Sequence, residues 1–304
     1  MVGCDLQQFP VEKEYVKNKD IKPEDVKELR QWLQTQPHLP AEHITDLDLI
    51  LAYHCCGRST GMTKQVLDLH YTLNTLFACY FKDRKLDSNI REALNNVLMT
   101  FLPTLSNDGD SVMFIRMINV DPKVFDFGLW IRLVFILIDL KQYVEGTFKG
   151  LVLVVDFGVV TLRHITKIDI TNLRQLLYYL QEALFLNLKG MHFINAPSFI
   201  DRVIVMMKPF MKKELLDSFQ IHTAGSKTIE NIVPISAFPK ECEGNYKSIE
   251  EIKAETIKFV EAAGDFFEKD NKKRVNEALR PGRAKTISDI FQGVEGSFKK
   301  LDID

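Results

Sequence analysis

Apolar residues return at helical spacing through the first hundred positions and in short unbroken runs after that. Val26, Leu29 and Leu33 fall at i, i+3 and i+7, the spacing of one helix face. Pro23 suits the first helical position and Pro37 closes the segment. Val66, Leu69, Leu73, Leu76, Phe77 and Tyr80 form a second stripe, and Ile90, Leu94, Val97, Leu98 and Phe101 a third that runs up to Pro103. These stripes predict a small helical module. From Ser111 the pattern changes to SVMFIRMINV (111–120), GLVLVVDF (150–157), GMHFIN (190–195) and SFQIH (218–222), which read as buried strands. The helical periods between them, 124–144, 171–187 and 197–213, are each long enough for a crossover between parallel strands. The fold class expected is α/β.

The period at 197–213 carries Phe199, Val203, Met206, Met207 and Phe210 on one face and Asp201, Lys208 and Lys212 on the other. Pro209 removes a backbone donor and disfavours helix at Lys208, so this helix should kink or end there. A stripe of this composition fits an ordinary core as well as a ligand wall. Beyond Gly244 a single helix is expected from Ser248 to Phe267. The stretch 269–285, with seven basic against two acidic residues, reads as a solvated face. The ending, with Pro281, Gly282, Gly293 and Gly296, reads as a tail laid over the surface.

Composition narrows the function. With 304 residues, 46% hydrophobic and 26% charged, the chain can bury a sizeable core and is neither disordered nor fibrous. A balance of 39 basic and 41 acidic residues argues against a nucleic-acid binder. The longest apolar runs, 129–140 and 151–160, are interrupted by Arg132, Asp139 and Asp156, short of the roughly 20 apolar residues of a membrane span. The N-terminus has no basic or apolar targeting region. Cys4, Cys55, Cys56, Cys79 and Cys242 are odd in number, with no C-x-x-C spacing, which favours a reducing cytosol and buried apolar thiols.

Catalytic motifs are weak. Gly57-Arg58-Ser59-Thr60-Gly61 fits a nucleophile elbow, but that elbow needs a preceding strand and this one follows a helical run. The seven histidines show no H-x-x-x-H arrangement, so no metal is expected, and no glycine cradle for nucleotide phosphates follows a strand. Asp156 ends a strand, a common catalytic position, yet with no partner in view it reads as an acid hydrogen-bonded to nearby backbone. What stands out is the apolar surplus between residues 129 and 211. Covering some 400 to 500 Å² of a water-insoluble molecule at about 25 cal/mol/Å² favours binding by on the order of 10 kcal/mol before ordering costs.

The stretch His192-Phe193-Ile194-Asn195-Ala196-Pro197, then Lys208-Pro209-Phe210, Ile221-His222 and FPKECEG (238–244), resembles in order and spacing the signature of the CRAL-TRIO lipid-binding family. The resemblance covers about residues 20 to 245, and the sequence from Arg280 to Asp304 is similar to that of arthropod members described as alpha-tocopherol-transfer-protein-like. It implies a helical N-terminal module (1–85), a lipid-binding cage with a mobile gate helix (86–246), and a C-terminal helix with a surface-packed tail (247–304). Ile200, Val203 and Met206 match gate residues, on the stripe that also holds Phe199, Met207 and Phe210. Trp130, Leu133, Leu137, Leu151, Leu153, Val155, Val160, Leu176, Tyr179, Leu180, Leu184 and Met191 match cavity wall.

Departures from the family carry information. Leu133 and Leu137 stand where tocopherol binders have serines, which implies a wall less able to hold a hydroxyl. Asn187, Glu214 and Ser218 replace a basic cluster used for phosphoinositide headgroups, leaving Lys189, with Lys208, Lys212 and Lys213 as further candidates for headgroup or membrane contact. Val159 and Glu243 replace glycines. The function expected is non-enzymatic carriage of a tocopherol, retinoid, carotenoid or similar lipid, with no cofactor beyond that ligand, a transient partner in anionic membrane surfaces, no nucleic acid, and a cytoplasmic location. A phospholipid or phosphoinositide exchanger is the alternative, and a serine esterase at Ser59 a remote one.

Overall fold

The structure is a computed structural model describing residues 6–291. Helices α1 (Val11–Lys17), α2 (Pro23–Gln34), α3 (Asp46–Cys55), α4 (Thr60–Leu76), the single turn α5 (Ala78–Phe81) and α6 (Ser88–Asn96) come first. The starts of α3, α4 and α6 are fixed by side chains that accept otherwise unpaired N–H groups. Thr45 and Asp48 cap α3 reciprocally, Ser59 accepts from Met62 at the start of α4, and Asp87 accepts from Ile90 at the start of α6. Val26, Leu29 and Leu33 are buried and share a core with Leu47, Ile50, Leu67 and Tyr71.

The third helical stripe divides. Helix α6 stops at Asn96, and Val97–Phe101 is β1, an edge strand antiparallel to β2 (Ser111–Met117). Val97 and Met99 on one side with Leu98 on the other suit a strand as well as Ile90, Leu94 and Val97 suit a helix. The bonding edge of β2 decides between them.

Strands β2, β3 (Leu151–Asp156), β4 (Leu188–Ala196) and β5 (Phe219–Thr223) are parallel, and the sheet order is β1-β2-β3-β4-β5. Helix α7 (Phe127–Glu145) connects β2 to β3. The short α8 (Leu162–Ile165) and α9 (Ile170–Glu182) connect β3 to β4, and α10 (Ile200–Met207) and α11 (Lys213–Asp217) connect β4 to β5. Helix α10 does end before Pro209, giving way to a 3-10 turn at Lys208–Phe210.

Both sheet faces are covered, which is why the strands read as unbroken apolar runs. Met99, Met113, Ile115, Leu153, Met191 and Phe193 face the layer that holds α7, α9 and α10. Leu98, Val112, Phe114, Val152, Val154 and Ile194 face Val233, Phe238 and Ile252. Near Phe238 the chain passes so close that a side chain on Gly244 would start 1.9 Å from the Phe238 carbonyl oxygen. Glu243 takes up the left-handed conformation, φ 64°, at the position where the resemblance implies glycine.

The C-terminal expectations need two corrections. The helix read over 248–267 is two helices, α12 (Ile249–Glu261) and α13 (Gly264–Asp270). The break at fully buried Ala263 brings Phe266 against Tyr143, ring centroids 5.1 Å apart. The basic stretch 269–285 is also only in part a solvated face: Lys269, Lys272 and Arg283 are exposed, but the other basic residues are partly buried. Lys273 pairs with Asp48 at 2.7 Å, Arg280 with Asp68 at 2.7 Å and Glu277 at 2.6 Å, and Lys285 with Asp68 at 2.5 Å. Phe291 is buried, its ring stacked parallel to that of Phe77 at 6.2 Å. Gly293 and Gly296 lie outside the described residues. Among the described residues no helix is long and apolar enough to cross a membrane.

Candidate ligand cavity

Between the sheet and its helical layer lies a cavity of about 160 Å³. Helices α7, α9 and α10 and strands β1 to β4 wall it, each by its own period. Helix α7 contributes Phe127, Trp130, Ile131 and Val134, and α9 contributes Leu173, Leu176, Leu177 and Leu180, both at i, i+3, i+4 and i+7. The strands contribute alternate residues: Met99 from β1, Ile115 and Met117 from β2, Leu153 and Val155 from β3, Met191 and Phe193 from β4. Val203 and Met207, one helical turn apart on α10, close one side, and Phe125, Phe157, Val160, His164, Ile165 and Ile168 complete the wall.

Such a wall gives water almost nothing to hydrogen-bond. Its one ionisable side chain is His164, fully buried, whose Nδ1 accepts the Thr161 N–H at 3.0 Å. Burial lowers its pKa, so the ring is neutral near pH 7 and the wall carries no charge.

Of the residues singled out in the sequence, Trp130, Leu153, Val155, Val160, Leu176, Leu180, Met191, Val203 and Met207 are brought together on this wall. The others go elsewhere. Leu133 and Leu137 are buried in the surrounding core, Leu133 to one side of the cavity-facing stripe of α7 and Leu137 beyond its end. Leu151 lies on the cavity-facing side of β3 but in packed core. The Tyr179 hydroxyl donates to Asn74 at 2.9 Å, with its ring 4.6 Å from that of Phe135, which ties α9 to α4 and α7. On α10, Ile200 is buried in the same core, while Phe199, Met206 and Phe210 are only partly buried against it. Phe199 precedes the helix and Phe210 follows it, so the helical face that meets the cavity is Val203 with Met207.

Leu184 lines a separate groove of about 470 Å³ that also holds Lys189, Lys212, Asn187, Glu214 and Ser218. Asn187, Lys189, Glu214 and Ser218 thus converge in space, and two lysines there face Glu182 and Glu214, with Lys212 paired to Glu182. Lys208 and Lys213 are exposed away from that groove.

A polar cleft of about 540 Å³ opens by the ends of β3 and β4. Beside it Asp156 has the partner that the sequence did not reveal: Arg116 of β2 pairs with it, while Gly158 N–H and Asn195 Nδ2 donate to its other oxygen at 2.8 and 3.0 Å. Three donors from three different segments hold it, which marks Asp156 as a structural tie between strands. Ser59 caps α4, with Met62 N–H at 3.4 Å. Among the described residues no histidine or carboxylate hydrogen-bonds to it.

Residues 95–244 match the CRAL/TRIO domain, and residues 18–90 match the Pinta-like UBA domain. The chain belongs to the CRAL/TRIO domain family. It is 25% identical over 158 residues to the alpha-tocopherol transfer protein-like protein of Mus musculus, covering 52% of this chain and 46% of that one. For the protein of that description from Homo sapiens the figures are 24% over 199 residues, 65% and 53%. Clavesin-2 of Rattus norvegicus is 22% identical over 241 residues, covering 75% of this chain and 70% of its own length. The matches to the tocopherol-transfer-like relatives thus span about half of those proteins. Among solved structures, the crystal structure of Sfh5 aligns over 95% of this chain and 97% of that one, at 13% identity and a TM-score of 0.45.

Proposed function

We propose that this protein holds one small hydrophobic lipid in the cavity between sheet and helices and carries it between membranes, without catalysing a reaction. The observation that carries the reading is a wall of aliphatic and aromatic side chains whose only ionisable member is a buried histidine. The tocopherol-transfer-like relatives support it by description. A tocopherol, retinoid or carotenoid is the class of ligand that fits such a wall, since each polar atom placed against it forfeits its hydrogen bonds to water.

Loading requires the cavity to grow, because pockets for molecules of this size measure about 300 Å³ or more. Helix α10 is the element suited to move. It is eight residues long and is held on its inner side by Ile200, Val203 and Met207. At about 1.5–3 kcal/mol per buried side chain these contribute on the order of 5–8 kcal/mol, enough to keep the helix closed in water. Its outer face exposes Asp201, Arg202, Lys208 and Val205, the last at 70%. Burial of Val205 in a bilayer and attraction of Lys208 to anionic lipid, about 1 kcal/mol per cation, offset part of the cost of opening.

Phosphoinositide exchange is disfavoured by the groove in which Lys189 and Lys212 face two glutamates. Vesicle transfer assays test the choice. Transfer of a fluorescent tocopherol or retinoid between vesicles should exceed transfer of labelled phosphatidylinositol, and Lys189→Ala should leave it unchanged. Preferential transfer of phosphatidylinositol, lost in Lys189→Ala, would overturn the reading.

A further inference from the structure

Cys55 and Cys56 are consecutive, yet their sulfurs lie 3.8 Å apart. Neighbouring residues within a helix do not face each other, so the contact depends on where the helix stops. Cys55 is the last residue of α3 and Cys56 caps it, and Gly57 and Arg58 then turn the chain through two left-handed residues, φ 59° and 66°. Both thiols line the groove that runs between α4 and the edge formed by β4 and α11. Cys55 is half-buried and Cys56 8% exposed. Among the described residues the other cysteines, Cys79 and Cys242, have no thiol within hydrogen-bond reach.

We propose that Cys55 and Cys56 form a reactive vicinal dithiol, a modification site for hydroperoxides and for reagents that bridge two sulfurs, such as trivalent arsenicals. The two sulfurs have different roles. The Cys55 thiol donates to the Ala52 carbonyl oxygen at 3.2 Å. The contact between the two sulfurs pulls the Cys56 thiol down against the opposing effect of burial, while the same contact and burial push the Cys55 thiol up. Cys56 is therefore the attacking thiolate. Its sulfur bonds to the terminal peroxide oxygen as the O–O bond breaks, giving a sulfenic acid. The departing hydroxide, or alkoxide from an organic hydroperoxide, takes up the proton that Cys56 released on ionising and leaves as water or alcohol. The Cys55 sulfur then attacks the sulfenic sulfur. The S–S bond forms, the S–O bond breaks, and hydroxide carries off the Cys55 proton as water. Two thiols are oxidised to a disulfide, and one hydroperoxide is reduced by two electrons.

The product is strained. Consecutive α-carbons across a trans peptide stand about 3.8 Å apart, inside the ~4.4 Å lower limit of ordinary disulfides. A strained bond of this kind is readily reduced, so the modification is reversible. The groove that gives access to the thiols is mixed, with Met62, Val66, Leu184, Leu186 and Leu215 beside Lys189, Lys212 and Glu214.

The test uses the full reduced chain treated with hydrogen peroxide, alkylated, digested and weighed. The peptide carrying both cysteines should lose the mass of two hydrogens, dithiothreitol should restore it, and phenylarsine oxide should add one bridging arsenic and block the oxidation. In Cys55→Ser a sulfenic acid should accumulate on Cys56, and in Cys56→Ser the remaining thiol should react about tenfold more slowly. Oxygen added to either cysteine without loss of the hydrogen pair, at peroxide levels that oxidise Cys79, would overturn the proposal. If a serine variant fails to fold, the arsenical arm on the unaltered chain decides: no bridged adduct means no dithiol. None of these readouts depends on lipid loading, so failure here leaves the carrier reading standing, and the reverse.

Discussion

Arg280 and Asp68 lie 2.7 Å apart across 212 positions of sequence. Lys285 and His38 converge on the same carboxylate at 2.5 and 2.7 Å, so one aspartate on α4 ties the C-terminal segment to the helical module. Burial pushes the Asp68 carboxyl up, but its hydrogen bonds to Lys285, His38 and Arg280 prevail and hold it at about 2. A carboxyl whose folded pKa is depressed stabilises the fold above its unfolded pKa of about 3.9 and loses that contribution as pH falls toward 2.

Asp68→Asn should therefore lower stability by about 1–2 kcal/mol at pH 7, the partial exposure of the cluster keeping it below the cost of breaking a fully buried pair. Limited proteolysis should cut within 276–291 faster in the variant. Equal cutting rates would mean that Phe291 and its neighbours hold the segment without the ion pairs.

Arg84 supplies a stricter case. Its side chain is fully buried, with Nη1 donating to Asp139 at 2.7 Å and Nε to Asp270 at 3.1 Å. Among the described residues, removing the guanidinium leaves half-buried Asp139 without its cation and buried Asp270 with only Arg274, 3.6 Å away. Arg84→Met should therefore cost about 3 kcal/mol in chemical denaturation. Adding Asp139→Leu and Asp270→Leu should recover part of that loss, because well-packed apolar groups can replace a buried ion cluster.

Histidines set the acid limit. Burial lowers His70 to about 4, and burial together with His222, 3.1 Å away, lowers His192 to about 4. Burial lowers His222 as well. Each is neutral when folded and binds a proton more readily when unfolded, so the stability it contributes is present above about pH 6.5 and is lost as pH falls toward 4. Urea midpoints should be flat from pH 8 to 6.5 and drop by several kcal/mol in equivalent free energy, to order of magnitude, by pH 4. His222→Gln should flatten that slope.

At the cavity, Val203→Asp places a carboxylate against a wall without a partner for it. The variant should lose at least tenfold in retention of a hydrophobic ligand, roughly 1.4 kcal/mol or more, while far-ultraviolet circular dichroism stays unchanged. Retained affinity would return the stripe on α10 to ordinary core.

How far the sequence was legible follows from which contacts are local. The strands from Ser111 onward were legible because burial on both faces leaves an unbroken apolar run. Strand β1 was not, since Val97, Leu98 and Phe101 satisfy two periods and only the edge of β2 chooses between them. Within the cavity, periodicity and resemblance found Trp130, Leu180, Met191 and Val203. They did not separate Leu133 or Tyr179 from the wall, because a buried side chain looks the same in sequence whether it faces a lipid or another side chain. Phe125 and His164 sit on a loop and a one-turn helix with no period to reveal them. The basic stretch 269–285 has the composition of a solvated face throughout, because the partners of Lys273, Arg280 and Lys285, Asp48 and Asp68, lie more than two hundred residues away.

The most direct measurement is the mass of what the protein carries from cells. Native mass spectrometry of gently purified chain, followed by organic extraction, should show one hydrophobic molecule per chain that is absent from Val203→Asp prepared alongside. A wild-type chain that emerges without lipid and takes up no tocopherol, retinoid or carotenoid from vesicles would contradict the carrier function.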